Sequence, residues 1–496
     1  MKGALLQSMT WLHSWAGLVF GWLLFAIFVT GTLAVFDDEI DAWMRPDLVV
    51  SGGPFDPDRV MAQLSRDIPG ADRLIIALPD DRRPYASVGW FGDDGFRLRL
   101  IDPATGADLH ARETAGGDFF FRFHYRLYTP GAIGKWVVGV AAMAMLVAML
   151  AGVLIHLRIF KDIFTFRPWA SPRRAWLDGH LLLAVLFLPF HVMITYTGLA
   201  ILYDTYMPAA IDQLYDGRRG AYLAALYPEG PLPDRPAAGV AAPLAPLGPM
   251  LDTFRRPDGG PGVRLLIVDH PGDAAALVHV HDAWDRRLTR DADIASFDGV
   301  SGALIGERRT RRPAHAVQAA MIGLHRVSFA DPVIRWLYVA GGAAGSAMIA
   351  TGLVLFTGRR PTEVSRFPAV AARINTGTVA GLLLACIAYL WGNRLLPVAM
   401  EMRSLAEVAV FLAVWLLAIL HGLMVRPAVG WTTQLGLAAA LCLLLPVLDL
   451  ISTGGQAGAA LGRGDAVTIG VHLSAIGSGI GFGWIARTVC RRGFRS

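Results

Sequence analysis

Charge is scarce in this sequence. Only 17% of its 496 residues are Asp, Glu, Lys or Arg, against 54% hydrophobic. With a mean hydropathy of +0.45, that balance marks a polytopic membrane protein rather than a soluble one. Long basic runs are missing, and the net charge is only +5. The modest excess fits basic cytoplasmic loops and excludes nucleic acid as a partner. Cysteine is rarer still: Cys386, Cys442 and Cys490 are scattered in or beside apolar stretches. With no Cys-x-x-Cys, a disulfide framework, a thiol redox motif and a c-type haem attachment are excluded. The close-set glycines of 476–483 lie inside an apolar run. Without a preceding strand they are not a dinucleotide fingerprint, and no expected cytoplasmic loop carries a flavin or nicotinamide motif.

What is present is a set of long apolar runs. Crossing about 30 Å of hydrocarbon takes roughly 20 apolar residues. Eight stretches qualify, near 11–36, 133–157, 178–203, 332–357, 376–396, 405–425, 431–451 and 467–488. The first lacks a small-residue cleavage site and reads as a retained signal anchor. Two large polar segments, 37–118 and 204–315, separate the early spans. The basic loops 158–174 and 358–373 and the basic C-terminus should be cytoplasmic. Both termini are then inside and both polar segments outside. Each polar segment orders a short helix before strand-like runs and an Asp-x-x-[Ser/Thr]-Gly turn, at Asp102–Gly106 and Asp298–Gly302. Each is expected to form a small α+β module.

The chain repeats itself. His13 and His180, Thr30 and Thr197, Gly31 and Gly198, and Asp37 and Asp204 are all separated by 167 positions. A second pair of histidines, His124 and His325, precedes spans two and four. The expected fold is mainly α, with about eight transmembrane helices. It has a duplicated four-helix core, two outer modules and four further helices. By segment these are helix 1 (1–36), module 1 (37–118), an interfacial segment with helices 2 and 3 (119–203) and module 2 (204–315). An interfacial segment with helix 4 (316–360) and the last four helices (361–496) complete the chain.

From His13 to Asp37 an unbroken helix would rise about 36 Å. His13 and His180 therefore fall at the cytoplasmic edge, and His124 and His325 at the outer edge. Two facing neutral imidazoles can supply both axial ligands of a b-type haem, which needs no covalent link. Two such sites would form an electron path across the membrane. Arg126 and Arg326 are placed to pair with haem propionates. Zinc is disfavoured because no third or fourth ligand stands beside either pair. A second arrangement uses His156 and His191, which have no histidine partner in the repeat. On a straight helix His180 and His191 lie about 20° and about 16 Å apart, so one helix could serve two haems, with His156 as the mate of His180. His191 alternatively makes a buried polar contact or a proton or quinol site. His421 and His472 lie in the unrepeated helices and are not expected to ligate. His110, His270, His279, His281 and His315 belong to module surfaces, with His279 and His281 on one solvated strand face. Phe119, Phe120, Phe121 and Phe123 read as an interfacial anchor or a haem wall.

These residues resemble the PepSY-associated transmembrane family. The likeness rests on His13 with Gly17 and Thr30-Gly31, and on Phe123-His124-Tyr125-Arg126. It rests further on Trp176-Leu177-Asp178-Gly179-His180 with Leu188-Pro189-Phe190-His191 and Thr197-Gly198, and on Leu324-His325-Arg326 with Thr351-Gly352. It covers roughly 1–360. The outer modules look like PepSY domains. The resemblance implies an iron-regulated bacterial inner-membrane protein carrying two haem b, with His13, His124, His180 and His325 as ligands. It implies reduction of a periplasmic ferric siderophore or other ferric chelate, with release of ferrous iron by outer-sphere electron transfer. The electron donor would be a separate cytoplasmic reductase or a membrane quinol. The rival expectation is a non-redox transporter or regulatory membrane protein whose modules bind peptide or protein.

Overall fold

The computed structural model describes residues 2–493 except 94, 157–170, 228, 230–231, 256–261, 285–286, 310, 328, 330 and 359–366. Most basic residues of the two expected cytoplasmic loops fall among those exceptions. The chain divides into two compact units. One comprises 1–47, 112–206 and 331–496; the other comprises 48–111 and 207–330.

The first unit is helical. Its principal helices are α1 (Lys2–Val19), α2 (Gly21–Leu33), α3 (Asp37–Met44), α4 (Asp118–Arg126), α5 (Ile133–Ile155), α6 (Pro172–Leu186), α7 (Leu188–Ile201) and α8 (Pro332–Thr357). They continue with α9 (Phe367–Leu395), α10 (Arg403–Met424), α11 (Pro427–Ser452) and α12 (Ala466–Gly493). Six of these, α5 and α8–α12, are long and apolar enough to cross a membrane. Two bent pairs raise the number to eight if each pair is one span.

The bends correct the expectation of straight first and third spans. The chain turns by 60° between α1 and α2, and by 64° between α6 and α7. The breaks fall at Phe20 and Phe187, again 167 positions apart. Pro189 accounts for the second, since proline interrupts the backbone ladder and favours the first turn of a new helix. Gly17 and Gly21 flank the first, where two poor helix formers weaken the turn. The straight-helix rise from His13 to Asp37 therefore does not apply. Nor does the 20° alignment of His180 with His191, because Phe187 lies between them.

The second unit centres on one antiparallel sheet of seven strands, ordered β3-β2-β1-β4-β5-β6-β7. The strands are β1 (Arg73–Ala77), β2 (Ala86–Gly92), β3 (Gly95–Ile101), β4 (Val263–Asp269), β5 (Leu277–Asp282), β6 (Ile294–Asp298) and β7 (Leu304–Arg308). The two polar segments thus share a sheet instead of forming separate modules. They join where β1 pairs with β4, from Arg73 opposite Asp269 to Ala77 opposite Leu265. The helix Pro57–Asp67, capped by the Asp56 side chain, lays Val60, Met61 and Leu64 into an apolar core with Leu74, Ile76, Leu266 and Val280. The two aspartate turns are built alike. Asp102 Oδ1 accepts from the Ala104 and Thr105 amides, and Asp298 Oδ1 from the Val300 and Ser301 amides. Gly106 and Gly302 close them at φ of 74° and 72°, a region that favours glycine.

Candidate functional site: a cavity with four histidines

A cavity of about 600 Å³ in the helical unit is lined by His13, His156, His180 and His191. That volume falls within the roughly 300–1,000 Å³ typical of cofactor sites. Its other walls are mainly apolar, from Trp11, Gly21, Leu24, Met145, Ile349 and Phe356.

Within it the His13 and His180 rings meet edge to face, centres 6.3 Å apart and planes at 77°. An imidazole nitrogen binds a transition metal at about 2 Å, and the ring centre lies roughly 1.1 Å beyond it. Two imidazoles on opposite sides of one metal therefore have centres about 6 Å apart. The spacing in the protein matches.

Backbone carbonyls fix the tautomers. His13 Nδ1 bonds the Ala148 carbonyl at 2.8 Å, and His180 Nδ1 bonds the Met348 carbonyl at 2.9 Å. A carbonyl only accepts, so each Nδ1 carries the hydrogen and each Nε2 the lone pair. This is how metal-binding histidines are commonly oriented. Four residues beyond each carbonyl stands a glycine. A Cβ at Gly152 would lie 3.2 Å from His13 Cε1, and one at Gly352 3.2 Å from His180 Cε1. Ala148 and Met348, like Gly152 and Gly352, are 200 positions apart.

His124 follows the same rule on another helix. Its Nδ1 bonds the Ile27 carbonyl at 2.8 Å, and a Cβ four residues on, at Gly31, would lie 2.5 Å from that nitrogen. The Thr30-Gly31 motif now has a local reason. Thr30 bonds back to the Ala26 carbonyl, and Gly31 leaves room for the imidazole. Two residues on, Arg126 leaves Nε buried without a hydrogen-bond partner, with its guanidinium 5.5 Å from the Tyr125 ring centre.

His191 is fully buried in the cavity wall among Phe28, Phe187 and Phe190. Its Nε2 is 3.3 Å from the Gly341 carbonyl, and its Nδ1 has no hydrogen-bond partner. His156 caps the end of α5 and lines the same cavity. His325 and Arg326 end a helix, Pro313–Arg326, that belongs to the second unit. That helix is held there by close packing: Gly323 abuts the Leu288 backbone, and the Arg290 amide bonds the Ala319 carbonyl at 3.2 Å.

Other histidines have other settings. His279 is buried, not solvated. Its Nδ1 meets Ser296 Oγ at 2.8 Å and its Nε2 lies 3.4 Å from Asp269, which also pairs with Arg73. His281, two residues on, has a buried Nε2 without a partner, and burial lowers its pKa to about 4. His315 bonds Asp291 at 2.8 Å, and His421 Nδ1 lies 3.1 Å from Gln434. His472 bonds Asp449 at 2.8 Å. Among the described residues no group of three or more His, Cys, Asp or Glu is arranged to hold a metal ion by itself. Sequence reasoning did not find the polar residues buried in the last four helices, notably Asn393, Arg394, Arg403, Glu407 and Asp449. Arg403 and Glu407 were nonetheless visible as an i, i+4 ion pair.

Fold and site together define a polytopic membrane protein with a histidine-lined cavity. The chain belongs to the PepSY-associated TM region family, which matches residues 10–359. A relative from Pseudomonas aeruginosa, uncharacterized protein PA4219, is 28% identical over 306 residues, covering 56% of this chain and 73% of that protein.

Proposed function

We propose that this protein is a haem-dependent membrane reductase that delivers electrons across the bacterial inner membrane to a ferric siderophore or similar chelate, releasing ferrous iron. The approach of His13 and His180 to 6.3 Å between ring centres, each with Nδ1 committed to a carbonyl, carries the reading. These two residues would hold one haem b through Nε2. When bound, the haem supplies a one-electron carrier that needs no general acid or base. The Ala148 and Met348 carbonyls hold the ligating tautomers and raise imidazole basicity. Gly152 and Gly352 let the rings lie against their neighbouring helices. The apolar wall restricts water.

His124 would hold a second haem, with the Ile27 carbonyl holding its tautomer. In the sequence repeat His325 is the counterpart of His124. The buried, unpartnered Nε of Arg126 suits a propionate. In this reading the early helices are a duplication with both termini cytoplasmic, and the second unit is periplasmic and PepSY-like. Electrons come from a cytoplasmic reductase or a membrane quinol.

The test is a dithionite-reduced minus oxidised spectrum of the purified full chain. A b-type Soret and α-band change is expected, followed by reoxidation on adding a ferric chelate. A haem-free protein would overturn the reading and leave the non-redox transporter as the better account.

A further inference from the structure

The helices α9–α12 lie beyond the matched family region, yet they carry the most deeply buried charges in the helical unit. Arg403 and Glu407 are each 0% exposed, and Asp449 is 1% exposed. Ionised groups in an apolar bundle are costly and are kept where they are paired and hydrogen-bonded. Their bonding partners show what they hold.

Glu407 reaches out of its own bundle. Its Oε2 accepts from Thr114 Oγ1 at 2.6 Å and from the Ala115 amide at 2.9 Å. Its Oε1 accepts from Asn393 at 2.7 Å and from Arg403 at 2.5 Å. Arg403 also donates to the Glu113 carbonyl at 2.8 Å, and the Tyr389 hydroxyl to the Gly116 carbonyl at 2.8 Å. The bonds of Glu407 Oε2, Arg403 and Tyr389 to Thr114, Ala115, Glu113 and Gly116 grip residues 113–116, the approach to α4. That helix has no side-chain cap of its own at Gly117. Its first turn is tied to the gripped segment, because the Phe119 amide donates to the Ala115 carbonyl at 3.2 Å.

The same bundle holds one face of α4. Phe119 stacks on Tyr389 with centres 4.6 Å apart and meets Phe411 at 4.9 Å. Phe123 meets Phe411 at 5.4 Å and Trp415 at 6.0 Å. The phenylalanine cluster is therefore buried against protein, with Phe119, Phe120 and Phe123 at most 4% exposed. His124 follows directly and is bonded to α2.

We propose that Glu407 is a positioning residue for His124. The added helices fix the rotation of α4 and hence the direction of the His124 Nε2. The proposal rests on the reading of His124 as a haem ligand, and it assigns Glu407 and its partners in the last four helices a role in tuning that site.

The test uses the full chain in nanodiscs and compares Glu407→Gln with wild type by two readouts. Backbone hydrogen exchange over 115–126 is independent of haem and should quicken about ten-fold when one acceptor is lost. Electron paramagnetic resonance of the oxidised protein should show two low-spin haem signals. The signal abolished by His124→Ala should shift in Glu407→Gln, and the signal abolished by His13→Ala should not. If Glu407→Gln does not fold, Thr114→Val should reproduce both effects and Thr114→Ser should restore wild-type behaviour. Unchanged signals, with or without faster exchange, overturn positioning and leave the haem reading intact. Haem-free wild-type protein overturns the haem reading itself, and this proposal with it.

Discussion

His124 is tied to Ile27, its Nδ1 bonded to that carbonyl at 2.8 Å across the gap left by Gly31. The bond needs the gap, because a Cβ at position 31 would meet the imidazole. Gly31→Val should displace the ring and lower the haem content from about two to about one per chain, while the His13/His180 site stays loaded. Gly352→Val should empty the other site and spare the His124 one. Pyridine haemochrome quantification of the two purified variants checks the prediction. Gly436, where a Cβ would meet nothing within contact distance, supplies the control, since Gly436→Ala should leave haem content unchanged.

The sheet of the second unit should lose stability in acid in two stages. Burial raises the Asp269 carboxyl, but hydrogen bonds from His279 and Arg73 outweigh it and leave its pKa at about 2. Burial holds His281 at about 4. Both folded values lie below the unfolded ones, about 3.9 for Asp and about 6.5 for His. Each group therefore contributes stability above its unfolded pKa and loses it as pH falls toward its folded pKa. Exchange protection of β5 should decline from about pH 6.5 to about 4 through His281, and again from about 3.9 to about 2 through Asp269. In His281→Leu the first decline should vanish and the second persist. Hydrogen exchange by mass spectrometry across that range measures both.

Asn375 joins the early and late helices. It accepts from Trp22 Nε1 at 2.7 Å and donates to the Leu353 carbonyl at 3.0 Å, and it is 2% exposed. Asn375→Leu leaves the Trp22 indole N–H without its acceptor, whereas the Leu353 carbonyl keeps the Thr357 hydroxyl at 3.4 Å, so the change should cost about 1–3 kcal/mol. Thermal unfolding in detergent should show the loss. Trp22→Phe in the same background should recover part of it, since the indole N–H would no longer need a partner.

Much of the His13/His180 site was legible because one offset, 167, carried both histidines, and a histidine stands out in an apolar run. The glycines at 152 and 352 were visible as repeat partners, but their purpose was not. A glycine has meaning only once the ring that lies on it is known. The bends at Phe20 and Phe187 escaped because hydropathy counts residues and is blind to direction. The single sheet escaped because β1 and β4 pair across nearly two hundred residues, and strand partners at that range leave no local signal. Phe119, Phe120 and Phe123 suit an interfacial anchor or a haem wall in the sequence, because an apolar run looks alike whether lipid, a cofactor or another helix covers it. Glu407 and Ala115 are bonded across 292 positions. Nothing near either residue announces the other.

On the proposed function, His13 and His180 hold one haem iron between them. The most direct test is haem content and the reduced-minus-oxidised spectrum of His13→Ala, His180→Ala and the double variant beside wild type. Each single variant should lose the same haem, about half of the total, and the double variant no more than that. Full haem retention in either single variant, or a further loss in the double, would contradict the pairing.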